Sequence, residues 1–298
     1  MSKVDMTCSG KFLAPAPLSP YNGVRAILAT MHGKEHAVAP ALSATLGMQI
    51  VTSPIIDTDQ LGTFTGEVPR AGSMHDAAVA KARLGMHLTG LNIGIASEGS
   101  CGPHPAIPFI AAARELLVLI DEERGIIITE HLLTECTNFD HIVIAPDGYL
   151  QPFLEKIGFP SHAVIVRPNT GKGPIHKGIC DPHLIASLVR ETSRISEDAK
   201  TRVETDMRAH FNPTRMGQIA KLADKFARRL ATLCPACGMP GFGILTSEPG
   251  LVCGECGAET HLVKTLISAC ASCQFTENQP RSDGLRSARA AQCPECNP

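Results

Sequence analysis

Short apolar runs alternate with helical spacing along the first part of the chain. Residues 24–30 have the composition of a β-strand, residues 38–46 place apolar side chains four residues apart, and residues 48–52 form a second run. Pro40 stands where the first turn of a helix can accept a proline. The order strand, loop, helix, strand is typical of the start of an α/β sheet.

A second helix and a short strand follow. Ser73 and Asp76 have the spacing of a capping box in front of an alanine-rich stretch over residues 74–88, which predicts a helix. Residues 91–96 predict a short buried strand that ends in a glycine-flanked turn at Glu98. The prolines that come next exclude a regular helix there.

The later patterns change from strands to helices. Residues 116–120 and 126–129 predict a hairpin. Two further strands are predicted over residues 141–145 and 163–166, with a helix between them over residues 149–157. Beyond residue 181 the composition changes to helix formers, with apolar residues three and four apart in 184–191 and 217–233. The segment 181–233 is therefore predicted to be helical.

Eight of the twelve cysteines lie in four C-x-x-C pairs after residue 233: Cys234, Cys237, Cys253, Cys256, Cys270, Cys273, Cys293 and Cys296. Tetrahedral zinc takes four thiolates, so the pairs predict two structural zinc ions with no coordination position left for catalysis. Fifteen residues separate the first two pairs and nineteen the last two. The Cys-Pro-x-Cys-Gly and Cys-x-x-Cys-Gly sequences of the first two pairs resemble zinc-ribbon knuckles, so we expect consecutive pairing, as in two zinc ribbons. An interleaved arrangement of alternate pairs stays open.

These patterns predict an α/β fold in which a mixed sheet is flanked by helices. A helical segment and a C-terminal double zinc-ribbon-like module follow the sheet. The expected organisation is a flexible N-terminus over residues 1–20, an α/β body over 21–180, the helical segment over 181–233 and the zinc module over 234–298.

The charge balance argues against nucleic acid as a partner. The whole chain has 27 Lys and Arg against 29 Asp and Glu, and residues 234–298 have a formal charge of −2, which two four-thiolate zinc sites bring to about −6. No apolar run reaches the roughly 18 residues of a membrane span, and the N-terminus lacks the layout of a signal peptide. Clustered cysteines of this kind hold metal in a reducing compartment, so we expect a cytoplasmic protein without a membrane partner.

Carboxylates in two loops of the body are candidate magnesium ligands. Asp57, Asp59 and Glu67 lie in a polar loop, and Glu98 stands at a predicted strand end, where open α/β sheets place ligand contacts. Oxygen-rich surroundings of this kind suit Mg²⁺. The alternative is a solvated loop with capping residues.

Two further clusters are candidates for phosphate binding and catalysis. Arg167, Asn169 and Lys172 follow a predicted strand in a glycine-containing turn that suits an anion. The stretch from Glu204 to Arg215 carries seven functional side chains in twelve residues, among them Asp206, Arg208, His210 and Arg215. Helical spacing would put Glu204, Arg208 and Arg215 towards one side of a helix and Asp206 and His210 on another. A structural salt-bridge network is the alternative interpretation.

Three short motifs resemble the inosine-triphosphate pyrophosphatase fold. Thr30-Met-His32-Gly33-Lys34 is similar to that family's Thr-x-Asn-x-x-Lys substrate loop, Ala78-Val-Ala-Lys81-Ala82 to its Asn-Ala-x-x-Lys-Ala helix, and Glu98-Gly99 to its acidic turn. The loop is one residue short, His32 replaces Asn, and Ala77 replaces the Asn of the helix motif. The resemblance implies that Thr30, His32, Lys34 and Lys81 contact a nucleoside triphosphate. As a whole, the chain resembles an uncharacterised bacterial family of domains of unknown function.

Two functions follow as hypotheses. The first is a magnesium-dependent phosphohydrolase or pyrophosphatase that acts on a nucleotide or another phosphorylated small molecule, with the carboxylates activating water and the cations holding phosphates. The second is a non-enzymatic adaptor whose zinc ribbons bind a protein partner. Convergence of the polar clusters in one concave pocket would favour the enzyme, and their scattering over the surface would favour the adaptor.

Overall fold

The computed structural model describes residues 19–62, 68–70 and 72–298. Five strands form the first sheet: β1 Arg25–Ala29, β2 Gln49–Val51, β3 Ile93–Pro103, β4 Ala111–Asp121 and β5 Ile126–Thr134. Their order is β2-β1-β3-β4-β5, with β1 parallel to β2 and β3, and with β4 antiparallel to β3 and β5. The predicted mixed sheet is therefore confirmed.

Helices cover both faces of the first sheet. α1 (Glu35–Leu46) and α5 (Pro213–Ala231) share one core with Ala26 and Leu28, whereas α2 (Met74–Thr89) packs on the opposite face with Ile27. The two-residue alternation of a strand explains why neighbours on β1 enter different cores. α2 begins at the predicted capping box, in which Ser73 accepts from the Asp76 N–H and Asp76 from the Ser73 N–H.

A second, antiparallel sheet has the order β6-β9-β7-β8. Its strands are β6 His141–Ile144, β7 Val164–Pro168, β8 His176–Ile179 and β9 Thr201–Thr205. Helices α3 (Gln151–Ile157) and α4 (Pro182–Ile195) pack on one face of this sheet, against Val164, Val166 and Val203. By alternation, Arg167, Arg202 and Glu204 lie on the face that these helices leave open.

The C-terminal residues form a third sheet, of strands β10 Gly243–Pro249, β11 Val263–Ala269 and β12 Thr276–Gln279 in that order, antiparallel throughout. The last turn of α5 attaches this module to the first sheet, because Arg229 donates to the carbonyl oxygens of Thr129 on β5 at 2.9 Å and of Gly241 at 3.2 Å. A Cβ on Gly241 would lie 2.1 Å from Ile128 Cδ1, so the close packing requires glycine there.

Three predictions about local structure were wrong. β3 continues through Glu98 to Pro103 because β4 pairs with it along its whole length, so Glu98 lies within a strand and not in a turn. Glu204 belongs to β9, inside the segment that was predicted to be helical, since β6 and β7 pair with it on both sides. α1 begins at Glu35, which makes Pro40 its sixth residue, beyond the first turn.

Two predictions fall on residues that the structure does not describe, namely most of the flexible N-terminus over residues 1–20 and Glu67. In the described part of the chain, no helix combines the length and the apolar composition that crossing a membrane requires.

Candidate functional site

A cavity lies beyond the carboxyl end of β1, beside Ser97 and Glu98 of the parallel strand β3. α1 leaves β1 on one face of the sheet and α2 enters β3 from the other, and α/β sheets bind ligands in the crevice at such a point. Its volume is ≈ 40 Å³, room for about three water molecules. Seven of the predicted site residues line it: Thr30, His32, Lys34, Asp59, Lys81, Glu98 and Arg215.

Lys34 stands at the start of α1 and is buried. Its Nζ donates to the Ser97 carbonyl oxygen at 3.1 Å and lies 3.5 Å from Ser97 Oγ. Burial and the nearby Arg215 cation lower the pKa of Lys34 to about 8. Within the described residues no carboxylate lies within ion-pair distance of this Nζ. Lys34 is therefore a buried ammonium whose partners are neutral.

Glu98 organises two other cations of the cavity. Its carboxylate accepts from Lys81 Nζ and, at 3.1 Å, from Arg70 Nη2. Burial opposes ionisation of Glu98, but Lys81, Lys34 and Arg70 outweigh it and hold its pKa below the ordinary value. Glu98 thus stays ionised, and both of its oxygens have cationic partners.

Arg215 enters the cavity from the first turn of α5 as half of a buried ion pair. Its Nε and Nη2 donate to the two oxygens of Glu115 on β4 at 2.6 and 3.1 Å, and its Nη1 donates to the Met207 carbonyl oxygen. The guanidinium lies directly over Gly99, where a Cβ would come within 2.1 Å of Nη2. Glycine at position 99 is therefore a steric requirement of the Arg215–Glu115 pair.

His32 and His210 stack beside the cavity, with ring centroids 5.0 Å apart, and His32 Nε2 lies 3.9 Å from Asp59 Oδ1. Burial and then the positive charge of Lys34 lower the pKa of His32 to about 4. Burial and Arg208 also lower the pKa of His210. Both rings are therefore neutral at pH 7.

The other predicted site residues lie elsewhere. Asp57 is exposed and accepts from the Asp59 N–H, Asn169 donates to Asp198 at 2.6 Å, and Lys172 is exposed. Asp206 is buried, where it accepts from Arg208 Nη2 at 2.6 Å and from the Gly178 N–H at 3.0 Å. Arg167 pairs with Glu204 on the second sheet. These contacts hold loops and strands together outside the cavity.

The described residues do not form a magnesium site. Of the two carboxylates that line the cavity, Glu98 is occupied by cations and Asp59 stands beside His32. Apart from the cysteine clusters, the described chain has no group of three or more histidine, cysteine or carboxylate side chains close enough to share an ion. Mg²⁺ requires several oxygen ligands in near-octahedral geometry, so the lining favours an anion instead.

Two four-cysteine clusters form in the C-terminal module. Sγ–Sγ distances across the pairs are 3.7 Å for Cys234–Cys273 and Cys237–Cys270, 3.9 Å for Cys253–Cys296 and 3.6 Å for Cys256–Cys293. Four sulfurs at about 2.3 Å from a tetrahedral zinc are about 3.8 Å apart, so both clusters fit the ion.

The expected consecutive pairing of the cysteines was wrong. The first pair clusters with the third and the second with the fourth, which is the interleaved arrangement. The strands explain it: seven-residue β10 carries the chain about 23 Å away from the first pair, and β11 returns it antiparallel to the starting end. Consecutive pairs therefore lie at opposite ends of the third sheet.

Comparison with known protein families assigns the chain to one of them. A family model described as a domain of unknown function, DUF6671, matches residues 81–298. The chain belongs to the DUF6671 family. The matched region includes Lys81, Glu98, Arg215 and all eight zinc-module cysteines, whereas the loop from Thr30 to Lys34 precedes it. A search of the curated proteins found no match. The likeness of this DUF6671 member to the inosine-triphosphate pyrophosphatase fold stays a prediction.

Sequence reasoning did not single out Arg70, Ser97 and Glu115, which make polar contacts in the candidate site. Glu115 had a readable signal, because a carboxylate inside the apolar run of β4 needs a partner once it is buried. Arg70 and Ser97 had none, since a loop arginine and a strand serine are common on surfaces.

The low pKa of His32 predicts acid destabilisation of this DUF6671 protein. Neutral His32 is favoured in the folded state, so its contribution to the free energy of unfolding is complete above its ordinary pKa of 6.5 and is lost as the pH falls towards 4. Urea unfolding at pH 7 and pH 4.5 should show a smaller loss of stability for His32→Gln than for the unmodified protein. An equal loss in both proteins would show that His32 does not contribute.

Proposed function

We propose that this protein is an enzyme that acts on a phosphorylated small molecule, such as a nucleotide, and that the phosphate binds in the cavity that contains Lys34. The observation that carries the proposal is the buried ammonium of Lys34, which lines this cavity without a carboxylate at ion-pair distance among the described residues. A phosphate oxygen beside it would supply the missing negative charge.

The rest of the lining supports the same ligand. Arg70 and Lys81 share the single carboxylate of Glu98, so these three groups and Lys34 together carry a net positive charge. The twelve-residue helix α1 begins at the cavity, and its first N–H groups and dipole favour an anion at that end. Gly33, with φ +67°, turns the chain between β1 and α1.

The organic part of the substrate has a place next to the phosphate. A second cavity of ≈ 320 Å³ shares Thr30 and Met31 with the first and is also lined by Glu35, Thr52 and Ser53. Hydroxyl and carboxylate groups of this kind bind the hydroxyls of a ribose or another sugar. A sugar phosphate or nucleotide would therefore extend across Thr30 and Met31.

The reaction that fits this lining is hydrolysis of a phosphate ester or anhydride. Cations stabilise the charge that develops on phosphoryl oxygens in the transition state. His32 lines the cavity as a neutral ring and is the proposed acceptor of the proton of an attacking water. A bound phosphate would raise the pKa of His32, because it would offset the cations that now lower it.

Replacing Lys34 with methionine should weaken binding of nucleoside phosphates or sugar phosphates at least tenfold and reduce their hydrolysis. The measurement is calorimetric titration at pH 7, followed by assays of phosphate and pyrophosphate release with and without magnesium. Affinity for the unmodified protein should fall as the pH rises through about 8, as Lys34 loses its proton.

Lys172→Met provides the matched control, because Lys172 is exposed outside the cavity and its loss should leave binding unchanged. Equal effects of the two substitutions would contradict the assignment of the phosphate to this cavity. Binding without turnover across the panel would retain the site and overturn the hydrolase.

The adaptor hypothesis is supported by one observation on the zinc module. β10 is an edge strand of the third sheet and exposes Ile244 and Leu245, and apolar edge strands pair with partner chains. A Leu245→Lys variant that lost a protein partner while it retained phosphate binding would identify this surface as the interface.

A further inference from the structure

Two arginines face each other on the second sheet. Arg167 on β7 is the direct register partner of Arg202 on β9, and both project from the face that α3 and α4 leave open. Like charges directly opposite one another in an antiparallel pair destabilise the sheet. The arrangement therefore has a cost that the fold itself does not require.

A single carboxylate offsets this pair. Glu204 accepts from Arg202 Nε at 2.7 Å, and its Oε1 lies 3.0 Å from Arg167 Nε. This Arg167 Nε is buried and has no hydrogen-bond partner in the part of the chain that the structure describes, whereas Nη2 of the same guanidinium donates to Glu204 Oε2 at 3.2 Å. Among the described residues, the terminal nitrogens of Arg202 have no acceptor. Two guanidinium groups thus share one carboxylate and retain unused donors.

The same three side chains line a cavity of ≈ 160 Å³, with Ile165 and Met207 as apolar neighbours. Asp140 also lines it, but Lys156 neutralises that carboxylate at 2.7 Å. The cavity therefore combines an excess of one positive charge with an apolar surface. It is separate in its lining residues from the cavity that contains Lys34.

We propose that this cavity on the second sheet binds a small organic oxyanion, with the charged group against Arg167 and Arg202 and the apolar body against Ile165 and Met207. Guanidinium forks bind the oxygens of carboxylates and phosphate esters alike, and the bound anion supplies the second negative charge that the opposed arginines lack. Glu204 holds the two arginines in place and competes with the ligand for them.

The test uses three probes with the same ring: benzoate, phenyl phosphate and the uncharged benzyl alcohol. Calorimetric titration of the full chain should detect saturable binding of at least one anion and none of the alcohol. The anion that binds more tightly identifies the source of the oxyanion. Arg202→Met should weaken binding at least tenfold, whereas Arg190→Met on the exposed side of α4 should leave it unchanged.

Glu204→Gln is expected to change anion binding in the opposite direction to Arg202→Met. Removing the competing carboxylate should tighten anion binding severalfold, and the anion should raise the melting temperature of this variant more than that of the unmodified protein. A purely structural ion-pair network predicts no anion binding in any variant, and that outcome would overturn the proposal. Binding that is indifferent to both Arg202→Met and Glu204→Gln would also overturn it.

Discussion

The double variant Cys234→Ser/Cys270→Ser is expected to retain one zinc ion per chain, and Cys234→Ser/Cys253→Ser is expected to retain none. Cys234 and Cys270 are ligands of the same cluster, so removing both leaves the other cluster complete, whereas Cys234 and Cys253 belong to different clusters. Native mass spectrometry of the purified variants, with two ions in the unmodified protein as the reference, measures the zinc count.

Consecutive pairing would give the reverse result, with no ion in the first variant and one in the second. The comparison is robust because both variants remove two cysteines. Structural zinc contributes about 10–16 kcal/mol of apparent binding free energy, and much of this stabilises the folded module. Each lost ion should therefore also make its end of the third sheet sensitive to protease.

Arg215→Met is expected to lower the free energy of unfolding by about 3–5 kcal/mol, because it leaves the Glu115 carboxylate buried without its partner. Urea unfolding, followed by circular dichroism, provides the measurement. Lys156→Met is the matched control: its ion pair with Asp140 is exposed and should contribute about 0–1 kcal/mol.

The double variant Glu115→Gln/Arg215→Met distinguishes the loss of the ion pair from the cost of a buried carboxylate that has no partner. It removes both charges and should be more stable than Arg215→Met alone. If the double variant were the less stable of the two, the buried carboxylate would not be the cause of the loss. Gly99→Ala should also destabilise the protein, since its Cβ would displace the guanidinium.

Sequence patterns within a single segment predicted those helices and strands whose limits depend on residues close together in the chain. The capping box at Ser73 and Asp76 fixed the start of α2, and apolar runs located β1 and the hairpin of β4 and β5. β3 was predicted too short because pairing with β4 overrides the glycines and prolines at its end. β9 was missed although its burial alternates residue by residue, because the two strands that pair with it, β6 and β7, are remote in sequence.

The candidate site was predictable where two neighbouring parallel strands, β1 and β3, supply its residues. Lys34 follows β1 and Glu98 lies on β3, and parallel neighbours bring such residues together. Arg167 was assigned to the same site, but its position depends on a second sheet whose placement no short motif encodes. The cysteines were evident from spacing, whereas their pairing depends on strand direction.

α5 connects the cavity that contains Lys34 to the C-terminal zinc module as one continuous helix. Arg215 lies in its first turn, Arg229 in its last, and Cys234 follows three residues after Ala231. Each residue inserted into a helix rotates the remainder of that helix by about 100° and moves it by about 1.5 Å. A single insertion or deletion in α5 would therefore put either Arg215 or Arg229 out of phase with its partners, so the length of this helix is constrained as tightly as its side chains.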